Sequence, residues 1–231
     1  MKKVLITGGN KGIGLATTKK FFARGFKVLI VGRDFSKLRI KSRDVKKIRF
    51  DLTNHTEIPK LAKKVGDIDI LVNNAGMMHA LPFDSYPEEK VEKILSVNIK
   101  SPVALIREFS KGMIKKGRGR IVNVASIAGE IGHPDVWYGI TKASIINITK
   151  SFAKALGKKG IVVNAVAPGP VETDLLKTIP EARKKELKKA SILGRFAKPE
   201  EVAETIYWLA TDCPEYINGI CIDINNGAFP R

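Results

Sequence analysis

Glutamine is absent from this chain, and histidine (three residues), cysteine (two) and tryptophan (two) are scarce. Acidic side chains are also few: 23 Asp and Glu stand against 41 Lys and Arg, a formal net charge of +18. Each shortage excludes something. Cys213 and Cys221 cannot make a disulfide framework and are expected as reduced, buried thiols, with an internal bridge conceivable only in a hyperthermophile's protein. His55, His79 and His133 are scattered without metal-ligand spacing, so no metal site is expected. No G-x-S-x-G nucleophile elbow occurs. No apolar run approaches the ~18 residues that span a bilayer. Met1-Lys2-Lys3 leads straight into a short strand-like run, with no apolar stretch of signal-peptide length. A soluble, cytoplasmic protein is the expectation.

The basic residues concentrate in Lys37–Arg49 and Arg183–Lys189. Such a surface attracts phosphorylated cofactors, acidic carrier proteins or nucleic acid; its plain reading is a solvated face that keeps the protein soluble. Abundant Lys and Arg without Gln also fit a thermophile's surface.

The length of 231 residues suits a single domain, 1–231. Short apolar runs recur at Val4–Ile6, Val28–Val31, Lys47–Phe50, Ile68–Val72, Arg120–Val124, Ile161–Val166 and Ile220–Ile224. Each is nearly continuous rather than alternating, as in strands buried on both faces. Helical spacing fills the intervals: Ile13–Arg24, Glu57–Val65, Pro87 to about Lys116, Trp137–Leu156 and Glu200–Thr211. Pro102 should kink or split the long third helix. This alternation predicts an α/β fold: a Rossmann-type, doubly wound, seven-stranded parallel sheet with helices on both faces. Residues 174–198 are polar and lack strand character; a mobile helical flap over a site is expected there.

Two ends of a site can be read from the residues. Val4 to Gly14 reads as strand, glycine-rich turn and helix start, with Gly8, Gly12 and Gly14 as G-x-x-x-G-x-G. Glycines let the backbone of this turn, with Asn10, Lys11 and Ile13 between them, approach a pyrophosphate at a helix N-terminus. At the end of the second strand, where a carboxylate would select NAD by accepting from the ribose 2′-OH, stands Gly32, followed by Arg33. Arg33 and Lys11 favour a 2′-phosphate, so NADP(H) is expected over NAD(H); Asp34 is the contrary residue. The other end is Tyr138 and Lys142, four apart on one helix face, with Ser126 upstream at a strand tip. A phenol is a poor acid near neutrality (pKa ~10). An ammonium one turn away is expected to lower that value and let the phenol exchange a proton with an alcohol or carbonyl oxygen.

These motifs together resemble the short-chain dehydrogenase/reductase family, in order and along essentially the whole chain. The family's Thr-Gly-x-x-x-Gly-x-Gly stands as Thr7 to Gly14, its Asn-Asn-Ala-Gly as Asn73-Asn74-Ala75-Gly76, and its catalytic Asn as Asn98. Its Ser, Tyr-x-x-x-Lys and Pro-Gly stand as Ser126, Tyr138/Lys142 and Pro168-Gly169, with a Thr four residues on at Thr173. The resemblance implies an oxidoreductase that interconverts a carbonyl and a secondary alcohol. Tyr138 would be the general acid/base, Ser126 would orient the substrate oxygen, and Lys142 would grip the nicotinamide ribose. Asn98 would hold a water that relays protons. For the cofactor it implies Asp51 and Leu52 at adenine, Asn74, Ala75 and Gly76 beside the adenosine ribose, and Pro168, Gly169, Val171 and Thr173 toward carboxamide and phosphates. Asp51 could equally cap the next turn, and Asn73 could brace the sheet.

Two substrates compete within that activity: a 3-oxoacyl thioester on an acyl carrier or CoA, or a free ketone, aldehyde or sugar. Arg118 and Arg120 are candidates for carrier contact; Met77, Met78, Phe83 and Trp137 for apolar pocket walls. His133 follows Ser126 in a loop and reads as solvated. A homotetramer or homodimer pairing the helices at 90–116 and 138–156 is implied by the family. A nucleotide-sensing or nucleic-acid-binding protein on the same scaffold is the rival from another class. The positive charge is its sole support, and the intact Ser-Tyr-Lys set argues against it.

Overall fold

Seven strands form one all-parallel sheet in the order β3-β2-β1-β4-β5-β6-β7. They are β1 (Lys3–Thr7), β2 (Lys27–Gly32), β3 (Val45–Arg49), β4 (Ile70–Asn73), β5 (Gly119–Val124), β6 (Ile161–Pro168) and β7 (Cys221–Ile224). The helices are α1 (Gly12–Ala23), α2 (Ile58–Val65), α3 (Glu88–Leu95), α4 (Ser101–Lys115), α5 (Val136–Leu156), α6 (Glu181–Ala190) and α7 (Pro199–Ala210). This computed structural model describes residues 1–36, 38–174, 176 and 179–230. Lys37 of the first basic cluster, and Leu175, Lys177 and Thr178 of the expected flap, lie outside the described residues.

Strand residues alternate between two helical layers, so both faces are buried. Leu5, Leu29, Leu71 and Ile121 pack with Leu61 of α2, Leu105 and Phe109 of α4, and Leu156 of α5. Val4, Ile6, Val28, Ile30 and Val72 pack with Phe21 of α1 and Val202 and Ile206 of α7. The strand order reverses between β1 and β4, which opens a crevice beyond their C-terminal ends, the usual ligand position in such sheets.

Two details depart from the expected pattern, and a third follows it. β3 is not apolar throughout: Val45 and Ile48 are buried while Lys46, Lys47 and Arg49 are exposed, because it is an edge strand. β4 begins at Ile70, and Ile68 is buried ahead of it. The long third helix splits into α3 and α4 around a π turn at Ser96–Lys100. Pro102 supplies the cause. It has no N–H to return to the carbonyl four residues back, that of Asn98, so wider pairing takes over, with Ser101 N–H donating to the Ser96 carbonyl. Within 174–198 a helix does form. α6 buries no residue, and a parallel bridge from Val171 to Ala197 closes the base of the segment. No disulfide joins Cys213 and Cys221; Cys213 is buried as expected, whereas Cys221 is half-buried.

Arg120 is not available to a carrier. It sits at the start of β5, at the opposite end of that strand from Ser126, and its Nη1 donates to the Cys213 carbonyl (2.6 Å) and the Leu209 carbonyl (3.3 Å). The Leu209 carbonyl belongs to the last turn of α7, where helix geometry leaves acceptors unmet, and Cys213 follows just beyond the helix end. Arg118 is exposed at the same far edge. Arg120→Ala should therefore lower unfolding free energy by about 1–3 kcal/mol in a denaturant titration. Turnover per folded molecule should not change.

Candidate active site

The glycine-rich turn is clamped from β4. Thr7 Oγ1 accepts from the Asn74 and Ala75 amides, both at 3.0 Å, and Asn74 Nδ2 donates to the Thr7 carbonyl at 2.9 Å. A Cβ on Gly14 would fall 2.2 Å from the Gly8 carbonyl oxygen, so only glycine lets α1 start this close to the strand end. Gly8 and Gly12 have φ of +65° and +50°, which glycine adopts without strain. Lys11, at the helix N-cap, is extended, and no side chain caps the first turn of α1. The free N–H groups and the helix dipole there suit a pyrophosphate. Thr173 reaches the same place, its Cγ2 3.1 Å from where a Gly12 Cβ would stand. Val171 is buried, and the Gly169 amide donates to Ile224, which fixes the Pro168–Thr173 segment over the turn. A cleft of about 570 Å³ opens beside this end, lined by Gly12, Thr173, Leu176, Lys184 and Phe196. It does not reach Tyr138.

At the adenosine end Asn10 Nδ2 donates to the Asp34 carbonyl (2.7 Å), tying the glycine-rich turn to the segment after β2. Arg33 is 72% exposed, with Nη1 3.9 Å from Asp51 Oδ2. The Asp34 carboxylate accepts from the Ser36 amide (2.9 Å) and hydroxyl (2.8 Å), bonds that hold its carboxyl below the usual carboxylate range. Asp51 Oδ1 accepts from the Thr53 amide and hydroxyl, both at 3.0 Å, so it does cap the next turn. Leu52 is buried, and its carbonyl accepts from the Ser101 hydroxyl.

At the other end, Lys142 is 5% exposed, and its Nζ donates to the Val124 carbonyl at 2.8 Å. Burial pulls its pKa down to about 8. Ser126 follows β5 in extended conformation; its Oγ accepts from the Ala128 amide (3.2 Å), which leaves the hydroxyl proton free to be donated. The expected depression of the Tyr138 pKa is not found. Burial raises it, the Asp135 charge raises it further, and the hydrogen bond with Ser126 opposes them. Lys142 Nζ lies 5.7 Å from the centre of the phenol ring. The phenol is thus a protonated acid at neutrality rather than a ready phenolate.

Asn98, in the π turn, is 1% exposed. Its Oδ1 accepts from the Met77 amide and its Nδ2 donates to the Met77 carbonyl, both at 2.9 Å, and to Thr141 Oγ1 at 3.0 Å. It therefore locks the segment after Gly76 to α5. A Cβ on Gly76 would stand 3.4 Å from Lys142 Nζ and 3.7 Å from Asn98 Oδ1, so all three converge. Asn73 braces the sheet instead: it donates to Asn123, which donates to Thr149 of α5, each at 2.9 Å.

Around Tyr138 the structure adds groups. His133 is half-buried, its ring centre 5.2 Å from that of Tyr138, so it is not the solvated loop residue expected. Trp137 packs edge-on to Tyr86, and Met77 and Met78 are half-buried, whereas Phe83 is 76% exposed. Asp135 was not singled out from the sequence. Yet it is the α5 N-cap, accepting from the Tyr138 amide at 3.0 Å. An Asp three residues before the Tyr at a helix start is the signal that could have found it.

A family model described as enoyl-(acyl carrier protein) reductase matches residues 8–228. The chain belongs to the short-chain dehydrogenase/reductase family. A 3-oxoacyl-[acyl-carrier-protein] reductase of Thermotoga maritima is 37% identical, covering 98% of this chain and 97% of the relative. Among solved structures, a 4-hydroxyisoleucine dehydrogenase complexed with NADH superposes with a TM-score of 0.92 at 28% identity, covering 99% of each chain. A gluconate 5-dehydrogenase from Burkholderia cenocepacia in complex with NADP and tartrate gives 0.90 at 27% identity, covering 98% of this chain and 94% of that one. This short-chain dehydrogenase/reductase is an oxidoreductase that interconverts carbonyl and alcohol groups with a nicotinamide cofactor. The nucleic-acid-binding alternative finds no support. No helix among the described residues is long and apolar enough to cross a membrane.

Burial of Lys142 has a measurable sign. Between about pH 8 and its ordinary value of 10.5, the unfolded side chain keeps a proton that the folded one has released. Stability of the cofactor-free protein therefore rises with pH over that window on this group's account. Lys142→Met should be the more stable protein below pH 8. Its advantage should shrink by roughly 3 kcal/mol across the window, at about 1.4 kcal/mol per pKa unit, in denaturant titrations over a pH series.

Proposed function

We propose that this enzyme is an NADP(H)-dependent carbonyl reductase that uses Tyr138 as proton donor. The observation that carries the reading is the linked set of Tyr138, hydrogen-bonded with Ser126 and 5.7 Å by its ring from Lys142 Nζ, with Lys142 and Asn98 meeting at Gly76, together with an uncapped helix start suited to pyrophosphate. The residues fit the cofactor: the glycine-rich turn admits the phosphates, and Lys142 retains two N–H groups beyond its bond to Val124 for ribose hydroxyls. When bound, the nicotinamide supplies or accepts the hydride. The chain does the rest. Ser126 donates to the substrate oxygen and orients it. Tyr138 gives that oxygen its proton in reduction and takes it back in oxidation. Lys142, near neutrality in pKa, can lend positive charge or carry the proton onward, with Asn98 holding the segment and helix that frame it.

The substrate we favour is a 3-oxoacyl thioester on an acyl carrier or CoA. The net charge of +18 complements an acidic carrier or the CoA phosphates, and a relative at 37% identity bears that activity in its name. A free ketone or sugar is the second reading, supported by the sugar-acid dehydrogenase neighbour. Exposed Ile114, Val136 and Ile140 on α4 and α5 suit a homodimer or homotetramer, and the likeness to an acyl-carrier-protein reductase suits a cytoplasmic enzyme.

Three measurements test this. In a panel of 3-oxoacyl-CoA, ketones and sugars read by nicotinamide absorbance, the thioester should give the highest kcat/KM. Tyr138→Phe should cost about 10²–10⁴-fold in turnover while cofactor affinity holds; near-wild-type turnover would refute the acid assignment. Arg33→Ala should weaken NADPH roughly tenfold, the equivalent of one charge-assisted contact. NADH affinity should hardly move, and equal losses for the two cofactors would refute the phosphate contact.

A further inference from the structure

Asp135 is a carboxylate buried to 2% exposure that the proton-transfer scheme does not use. Its two oxygens serve different elements. Oδ1 caps α5 through the Tyr138 amide (3.0 Å). Oδ2 accepts from the Ala80 amide (2.8 Å), the His79 amide (3.2 Å) and the Tyr86 hydroxyl (3.4 Å). Ala80 has φ of +55°, an uncommon conformation for a residue with a Cβ, and it persists where surroundings dictate it. Here the carboxylate receives the N–H of the strained residue itself.

The segment so held borders the site at both ends. It leaves Gly76 beside Lys142 Nζ, is pinned at Met77 by Asn98, and returns at Tyr86 against the ring of Trp137, the neighbour of Tyr138. His79 also packs edge-on to Tyr86. Asn98 fixes the start of this wall, and Asp135 fixes its middle and its return.

We propose that Asp135 is a positioning residue that fixes the substrate wall of residues 77–86 to the first turn of α5 and so sets which carbonyl substrates reach Tyr138. This rests on the assignment of Tyr138 as proton donor. Asparagine separates the two duties of Asp135. Its Oδ1 can still cap α5. Its amide nitrogen, facing two N–H donors, can bind neither.

The test compares wild type, Asp135→Asn and Tyr86→Phe by amide hydrogen exchange and by kinetics on acetoacetyl-CoA with NADPH. In Asp135→Asn, exchange over residues 77–86 should accelerate about 10–100-fold while residues 136–142 keep their protection. KM should rise about tenfold, with kcat within about threefold of wild type. Tyr86→Phe, which deletes one donor, should move exchange and KM the same way by less. Unchanged exchange over 77–86 in Asp135→Asn would overturn the proposal. So would a loss of protection in 77–86 and 136–142 together, with Tyr86→Phe indistinguishable from wild type. Should wild type fail to reduce acetoacetyl-CoA, the thioester reading of the substrate falls, and the exchange data alone decide Asp135.

Discussion

A lysine ammonium held out of water by one strand-end carbonyl is the constraint on which this site depends. Lys142 can be buried because α5 crosses the sheet where β5 ends, so that Val124 presents its carbonyl at 2.8 Å. A charge so placed is poorly solvated, and its pKa falls to about 8. The consequence reverses the simplest expectation for a Tyr-Lys pair. The ammonium does not make the cofactor-free phenol acidic. Instead the same burial raises the pKa of the phenol and lowers that of the amine, driving the two apart from ordinary values that nearly coincide. The phenol is left holding its proton, as an acid must, while the amine can exchange its own near neutrality, so the two groups take separate parts in reversible carbonyl reduction.

The geometry around that pair is held by side chains bonded to backbone rather than by packing alone. Pro102 breaks α-helical pairing at Asn98, and the π turn so formed carries a side chain that grips Met77 on one side and Thr141 on the other. Asp135 makes the corresponding tie from the start of α5. Thr7, Asn74 and Asn10 do the same for the glycine-rich turn. Most of these ties join a loop at the C-terminal ends of the strands to a strand or helix, and the Asn10 bond joins two such loops to each other, so the loops inherit the precision of the sheet.

The parts of this molecule legible in its sequence are those governed by local rules. Continuous apolar runs gave six of the seven strands their character, glycine spacing marked the pyrophosphate turn, and a four-residue interval put Tyr138 and Lys142 on one face. What escaped depends on long-range placement. Edge position, which no local window contains, explains the exposed lysines of β3. Arg120 read as a surface charge until the fold brought the α7 C-terminus to it, 93 residues away in sequence. The pKa of Tyr138 turned on burial, which spacing cannot report. Asp135 was legible as a cap, but its second oxygen bonds residues 49 to 56 positions distant.

The adenosine end shows how a local turn can settle a question of charge. Asp34 is the one carboxylate placed to compete for a ribose hydroxyl, and its oxygens are taken by the amide and hydroxyl of Ser36 two residues on. Such a turn is a strong local preference of Asp before Ser, formed without reference to any ligand. Arg49 lies close enough to act on the same carboxylate, which helps to hold it in its charged form. With Asp34 spent on its own backbone, the remaining mobile charge at the end of β2 is the exposed guanidinium of Arg33, loosely held at 3.9 Å by Asp51. An exposed ion pair of that length costs little to exchange. A dianionic phosphate would therefore meet a cation ready to turn toward it, with Asp34 already engaged by Ser36 rather than offered to a ribose hydroxyl.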